Sequence, residues 1–391
     1  MFSFSTAQKV IFGTGSVSQI AEEVRRIGGK KLVVLTDPGI VKLGLDVKLT
    51  AHLDKKGLEY GVWSNVEPEP TVDCCRQAVD FVKRGGYDSV VGFGGGSSLD
   101  VAKAAAILLT NKGSLTDYLG KPESIPNLPA KLILCPTTAG TGSEVSNAAV
   151  FVVPEEKMKY VLYSSYLYPN VVILDPDLTK TMPPKITAQT GIDALCHAIE
   201  GYVSLNSSPL TEMFSEKAIK LISDNLRVAY ANGSDTKARE NMLLASYLAG
   251  LSFGNAGTVL GHAVGYAYGF ELHIPHGLSI GITMPYVLEY NATADLEKHV
   301  KIASLLGENV EGLPLRDAAF KAAEAFKKLL LEIDFPISIK EVGAKEDMIP
   351  TLAENVFKSV SHVARNPRRI TKDDMVGLFK KAIEGRLTSE N

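Results

Sequence analysis

Cysteine is scarce: there are four among 391 residues, with Cys74 and Cys75 adjacent and Cys135 and Cys196 each in apolar surroundings. So few at this length exclude a disulfide framework, and buried reduced thiols suit a cytoplasmic protein. Neither sign of charge dominates. Forty-one basic and 44 acidic residues leave a net charge of −3, which gives no support to a nucleic-acid binder or a polybasic membrane adherent. The N-terminal MFSFSTAQKVIFGTG lacks a basic segment followed by a long apolar run, so no signal peptide is expected. One stretch is long enough to test as a membrane span: no residue between Glu240 and Glu271 is charged. It holds Asn255, His262 and a glycine at almost every turn, and so reads as buried helix of a soluble protein rather than a lipid-facing span. No internal repeat or low-complexity tract is present.

What is present is an ordinary globular balance, 45% hydrophobic and 22% charged, in a chain long enough for two domains. The first half alternates short apolar runs with helical patterns. KLVVLTD (31–37), YDSVVGF (87–93), AKLILCP (130–136) and NVVILDP (170–176) read as buried strands, with helices over 16–28, 72–84 and 99–110. Such alternation predicts an α/β domain with a mostly parallel sheet. After MPPK (182–185) the strand signals almost stop. Helices are expected at 187–205, 208–224, 236–253, 257–269, 278–290, 294–306, 314–332 and 371–385. The Pro183–Pro184 pair is a natural joint, which gives an α/β domain over 1–185 followed by an all-α domain over 186–391.

Two loops in the first half carry chemistry. Gly94, Gly95, Gly96, Ser97 and Ser98 lie between a buried strand and a helix, where backbone N–H groups can approach an anion and the helix N-terminus favours it. Asp100 sits in the first turn and can cap or orient the loop. The G-x-G-x-x-G and G-K-[ST] patterns are both missing, which argues against nucleotide hydrolysis. CPTTAGTGSEVS (135–146) adds Thr137, Thr138, Thr141, Ser143 and Ser146 after another strand. Both loops fall at carboxyl ends of strands, where open α/β sheets bind ligands, so a dinucleotide site is expected. Asp37 ends the strand 31–37 and is either the acceptor for ribose hydroxyls or an ordinary turn residue before Pro38.

In the second half, GIDALCHAIEGYV (191–203) puts Asp193 and His197 on one helix face. Three of the seven histidines, His262, His273 and His276, fall within fifteen residues. Three imidazoles and a carboxylate would suit a divalent transition metal with a coordination position left open; the spacing alone leaves satisfied core histidines equally open. Gly257, Gly261, Gly265 and Gly269 recur every four residues. Such a stripe needs a close-packing reason, and packing against the Asp193/His197 helix is the expectation.

Taken in order, FG-x-G-S, TD-P-G-x-V-K-x-G, GGGSSLD, PTTAGTGSEV, DP-x-L at 175–178, GIDALCHAIE, the fourteen-residue spacing from His262 to His276, PHG and NPRRIT resemble the iron-containing (group III) alcohol dehydrogenases over nearly the whole chain. The resemblance implies metal ligands at Asp193, His197, His262 and His276. It implies NAD contacts at Asp37, the 94–98 loop, Asp100, Thr137, Thr138, Ser146, Lys159 and Leu178. It also implies a homodimer or larger assembly. Two departures stand out. Many members have a histidine four residues after the third ligand, where this chain has Tyr266. Many have Asn-Pro-Thr where this chain has Glu69-Pro70-Thr71.

The expected activity is hydride transfer between NAD(H) and a small alcohol or aldehyde, with one divalent metal, Fe2+ first and Zn2+ as the alternative, acting as Lewis acid on the substrate oxygen. His273 is the expected proton relay or supporting group, and Tyr266 a wall of the pocket or a proton donor. Rival readings are an enzyme like dehydroquinate synthase or glycerol dehydrogenase on the same fold, or a non-catalytic metal- or nucleotide-binding protein. The Ala, Gly, Leu and Ile flanking the four ligands favour a small uncharged substrate over a phosphorylated one. No nucleic acid or membrane partner is expected.

Overall fold

A computed structural model describes residues 1–121, 125–156 and 158–390. The chain divides into two compact units, Ser3–Met182 and a second one from Pro183 onward that also takes Met1–Phe2.

The first unit holds six parallel strands: β1 (Val10–Phe12), β2 (Lys31–Leu35), β3 (Glu59–Trp63), β4 (Ser89–Gly94), β5 (Lys131–Pro136) and, after a separate hairpin, β8 (Val171–Leu174). Their order across the sheet is β1-β8-β5-β4-β2-β3. The four apolar runs fill the sheet centre because both of its faces are covered. Val33, Leu35, Val90, Leu132 and Leu134 pack into one core with the helices Val72–Gly85 and Gly96–Thr110. Leu32, Val34, Val91 and Ile133 point the other way, onto the helices Ile20–Arg26 and Leu45–Lys55. The hairpin pairs β6 (Ala148–Val153) with β7 (Met158–Tyr163) in antiparallel register and was not expected.

Described residues of the second unit form no strand. At its centre is the helix Pro184–Val203, started by Pro184 in its first turn and buried on nearly all sides. It packs against Pro209–Ala231, Thr236–Ala256 and His276–Asn291. The uncharged stretch after Glu240 is two helices, Thr236–Ala256 and Leu260–Gly269, bent by 100° at the break between them. No single helix among the described residues is long and apolar enough to cross a membrane. The glycine stripe packs differently from expectation. A Cβ on Gly265 would lie 2.7 Å from Ile280 Cγ1, and one on Gly269 2.8 Å from Ser279. The stripe therefore seats mainly against the helix His276–Asn291, and only Gly261 also approaches the Asp193/His197 helix.

Candidate metal centre and cofactor loops

In the first unit the chain leaves β2 toward β3 on one side and β4 toward β5 on the other. The carboxyl ends of β2 and β4 therefore flank the switch point at which open α/β sheets bind ligands. Asp37 stands just past β2. Its Oδ1 accepts from Ile40 N at 3.1 Å, capping the helix Pro38–Lys42, and its Oδ2 accepts from Ser98 Oγ at 3.3 Å. Gly94 closes β4 at φ 151°, and a Cβ there would lie 2.5 Å from Ser98 Oγ and 3.0 Å from Asp37 Oδ2. The hydroxyl loop comes alongside. Thr137 N donates to Gly94 O at 2.9 Å, and a Cβ on Gly96 would meet Thr141 Cγ2 at 2.8 Å. Thr138 lies 3.6 Å from where a Cβ on Gly95 would stand. Gly95, the N-cap of the helix Gly96–Thr110, offers no side chain to the first N–H groups, and Ser97 is half-exposed beside it.

Other expected cofactor residues have protein partners of their own. The buried Asp100 carboxylate accepts from Ser143 Oγ at 2.5 Å and Val150 N at 2.9 Å. Ser146 Oγ lies 3.2 Å from Lys103 Nζ, a fully buried ammonium that also donates to Ser143 Oγ at 2.9 Å and Ala148 O at 2.8 Å. These groups hold the hydroxyl loop in place from behind. Burial pushes Lys103 down to about 8, against the pull of Asp100 and Glu144, and pushes Glu144 up to about 7. Leu178 is buried in the core and Lys159 pairs with Glu69 at 2.6 Å.

In the second unit, Asp193, His197, His262 and His276 converge, each offering a ligand atom within 4.8 Å of the others. Helical spacing puts Asp193 and His197 on one face of Pro184–Val203, and His276 opens its own helix directly against them. Gly277 makes that approach feasible, since a Cβ there would lie 2.4 Å from Gln189 O and 3.1 Å from Asp193 Cβ. His276 Nε2 is 3.6 Å from Asp193 Oδ1, and His197 Nδ1 is 3.9 Å from the same oxygen. Asp193, His197 and His262 are buried, whereas the His276 side chain is 30% exposed and marks the accessible side of the group. Burial pushes the Asp193 carboxyl up to about 7, with the charge of Glu200 adding to the rise and His262 opposing it. Asp193 Oδ1 and His262 Nε2 are buried with no hydrogen-bond partner among the described residues.

Three residues that the sequence reading missed complete the surroundings. Phe253 stacks on the His197 ring at 4.1 Å. Glu200 is buried against His262. It lies three residues past His197 on the same helix face, a spacing that could have identified it. His362 comes from the distant helix Val360–Arg365 and lies parallel to the His262 ring at 6.2 Å. Burial, aided by His262 and Arg365, lowers the His362 imidazole to about 3. Tyr266 does reach the cluster: it stacks on His276 at 5.4 Å and meets His262 edge-on at 5.9 Å. His273 does not. It is exposed, at φ 52°, with its ring 6.3 Å from Phe270.

Sequence profiles match both halves: "Iron-containing alcohol dehydrogenase" over residues 7–176, and "Fe-containing alcohol dehydrogenase family, C-terminal" over 187–383. The chain is 39% identical to long-chain-alcohol dehydrogenase 1 of Geobacillus thermodenitrificans over 96% of its own length and 95% of that protein. Among solved structures it resembles a 1,3-propanediol oxidoreductase at 37% identity and TM-score 0.95, covering 98% of this chain and 100% of that one. It also resembles sulfoacetaldehyde reductase from Bifidobacterium kashiwanohense in complex with NAD+, at 29% identity and TM-score 0.90, covering 98% of each chain.

Proposed function

Because the chain belongs to the iron-containing alcohol dehydrogenase family and is thereby an NAD-dependent oxidoreductase acting on CH–OH groups, we propose that Asp193, His197, His262 and His276 hold one divalent metal. NAD(H) is held by Asp37, the 94–98 loop, Thr137, Thr138 and Thr141, with Asp100 and Ser146 fixing the hydroxyl loop; Lys159 and Leu178 are the further expected contacts. The unit from residue 3 to 182 is then the cofactor domain and the helical unit the metal domain.

The residues present fit both groups. Unpaired buried polar atoms are costly, and Asp193 Oδ1 and His262 Nε2 are two such atoms in a single cluster. Imidazoles with one carboxylate accept Fe2+ or Zn2+. Side chains at Gly94 and Gly96 would collide with Ser98 and Thr141, so glycine lets the two loops close together beside the uncapped first turn of the helix Gly96–Thr110, whose N–H groups suit a pyrophosphate. When bound, the metal supplies a Lewis acid for the substrate oxygen and the nicotinamide supplies the hydride acceptor or donor.

The chain's own residues do the rest. Asp193 lowers the net charge at the centre, and the neutral imidazoles bring no further charge. Phe253 and Tyr266 exclude water from two sides of the cluster, while the half-exposed His276 side admits substrate. The apolar flanks of the ligands favour a small uncharged alcohol or aldehyde. Asp37 accepts from ribose hydroxyls and repels a 2′-phosphate. His273, exposed and outside the cluster, takes no part in this reading. Four free buried cysteines agree with a cytoplasmic enzyme, and we expect a homodimer or larger assembly.

The convergence of four ligating side chains within 4.8 Å carries this reading. It is tested by stripping the protein with a chelator, restoring Fe2+ anaerobically or Zn2+, and following metal content alongside NADH absorbance with a short aldehyde. Metal at about one per chain with recovery of turnover supports the assignment. Turnover that persists after complete removal of metal overturns it.

A further inference from the structure

We propose that Glu200 is the residue that makes His262 a metal ligand, by fixing which ring nitrogen carries the proton; the proposal rests on the four-ligand reading above. The Glu200 side chain is 1% exposed. Its Oε1 accepts from Val259 N and from His262 N, each at 3.1 Å. Its Oε2 meets His262 Nδ1. A carboxylate has no proton to give, so Nδ1 must donate, and the lone pair is left on Nε2, the buried atom that lacks a protein partner.

The backbone contacts explain why this carboxylate stays where it is. The helix Leu260–Gly269 begins after a 100° bend, and its N-cap residue Val259 supplies no side-chain cap. Glu200 reaches across from the helix Pro184–Val203 and satisfies N–H groups of that first turn, where a negative charge is also favoured by the helix dipole. Gly261 leaves room for it: a Cβ there would lie 2.9 Å from Glu200 Oε1. One side chain thus sets the entry of the third-ligand helix and the tautomer of the ligand it carries, a carboxylate–histidine–metal arrangement.

Glutamine separates these two roles. In Glu200→Gln the amide oxygen is required by the two backbone N–H groups, so the NH2 faces Nδ1 and donates to it. The variant is fully hydrogen-bonded, but its His262 carries the proton on Nε2, toward the metal. Glu200→Ala leaves the backbone groups unsatisfied and the tautomer free.

The measurements are Zn2+ affinity of chelator-stripped protein by competition, thermal midpoint, and 15N spectra of histidine-labelled metal-free protein, with His262→Asn to assign the resonance. We expect Glu200→Gln to keep the wild-type midpoint more closely than Glu200→Ala, to bind Zn2+ about 10- to 100-fold more weakly than wild type, and to move the His262 proton from Nδ1 to Nε2. A Glu200→Gln protein that binds Zn2+ within about threefold of wild type, or that keeps the Nδ1 proton, overturns the proposal. If wild type itself takes up no Zn2+, the four-ligand reading fails, and the 15N shift still decides what Glu200 does.

Discussion

In the N-terminal unit the groups offered to a ligand are backbone N–H, hydroxyls and one carboxylate, aligned by a parallel ladder at the ends of β2, β4 and β5. In the helical unit they are ionisable side chains brought from three helices into a volume less than 5 Å across. The first arrangement spreads recognition over many weak, polar contacts. In the proposed reading the second places it in four side chains, three of them buried, with a cation to balance them. Removing one group should therefore have very unequal consequences on the two sides.

The largest effect is expected from His276→Ala. The side chain is partly exposed, so its loss leaves the core intact while opening the ligand set. Metal affinity should fall by more than the roughly 100-fold seen when an outer partner is lost, and turnover by about 1000-fold or more. NADH binding, followed by fluorescence, should stay within about twofold, because its groups belong to the other unit. Metal content near wild type would break the comparison at its strongest point.

A second test asks how a buried carboxylate behaves away from the metal cluster, where the Lys103 ammonium opposes its desolvation. Glu144, in the hydroxyl loop, is buried with Oε1 unpartnered, and burial raises it to about 7. Its folded pKa lies above the ordinary glutamate value of about 4.5. Below pH 4.5 both folded and unfolded forms hold the proton and the group is neutral to stability. Between 4.5 and 7 the unfolded form ionises first, so a penalty grows, and above 7 it is complete at about 3 kcal/mol. Glu144→Gln should then raise the denaturation free energy of metal-free protein at pH 8 by up to that amount and leave it unchanged at pH 4. Equal effects at both pH values would show that the gain has another source.

These contrasts also account for what could be read from the sequence. The strands at 31–37, 87–93, 130–136 and 170–176 were legible because burial on both faces makes them continuous apolar runs. The sequence EYGVW of β3 was not: one of its five residues is buried. The β6–β7 hairpin lies between β5 and β8, two strands that by themselves complete the alternating pattern. At the metal centre the i,i+4 pair was legible because helical spacing fixes a face. His362 was not, since only the tertiary fold brings a residue one hundred positions from His262 alongside it. Glu200 is legible from its spacing, three residues past His197 on the same helix face. His273 was favoured for its proximity in sequence to His276, and the turn at φ 52° carries it to an exposed position instead.

Asp37 tests the distributed side. Replacing it with alanine would also remove the cap on the helix Pro38–Lys42, a loss of about 1 kcal/mol. Asp37→Asn keeps an oxygen for Ile40 N and removes only the charge. The kcat/KM ratio for NADH over NADPH should drop by about tenfold, equivalent to ~1.4 kcal/mol, with little change in thermal midpoint. A wild-type enzyme that already prefers NADPH would place Asp37 outside the ribose site.

The smallest effect is expected from Tyr266→Phe. The ring lies against two metal ligands, stacked on His276 and edge-on to His262, and edge-on to His362 at 5.7 Å. These contacts are made by the aromatic surface, and phenylalanine keeps all of them. A phenol ordinarily titrates near pH 10, so it is a poor proton relay at neutral pH without assistance. The ring thus contributes the wall. On that basis Tyr266→Phe should keep kcat within about tenfold, a barrier change of ~1.4 kcal/mol, with metal content unchanged. Tyr266→Ala removes the wall and should shift kcat/KM toward bulkier alcohols. A loss far beyond tenfold in the Phe variant, with metal and NADH affinity intact, would mean that the hydroxyl takes part in proton movement at the metal centre.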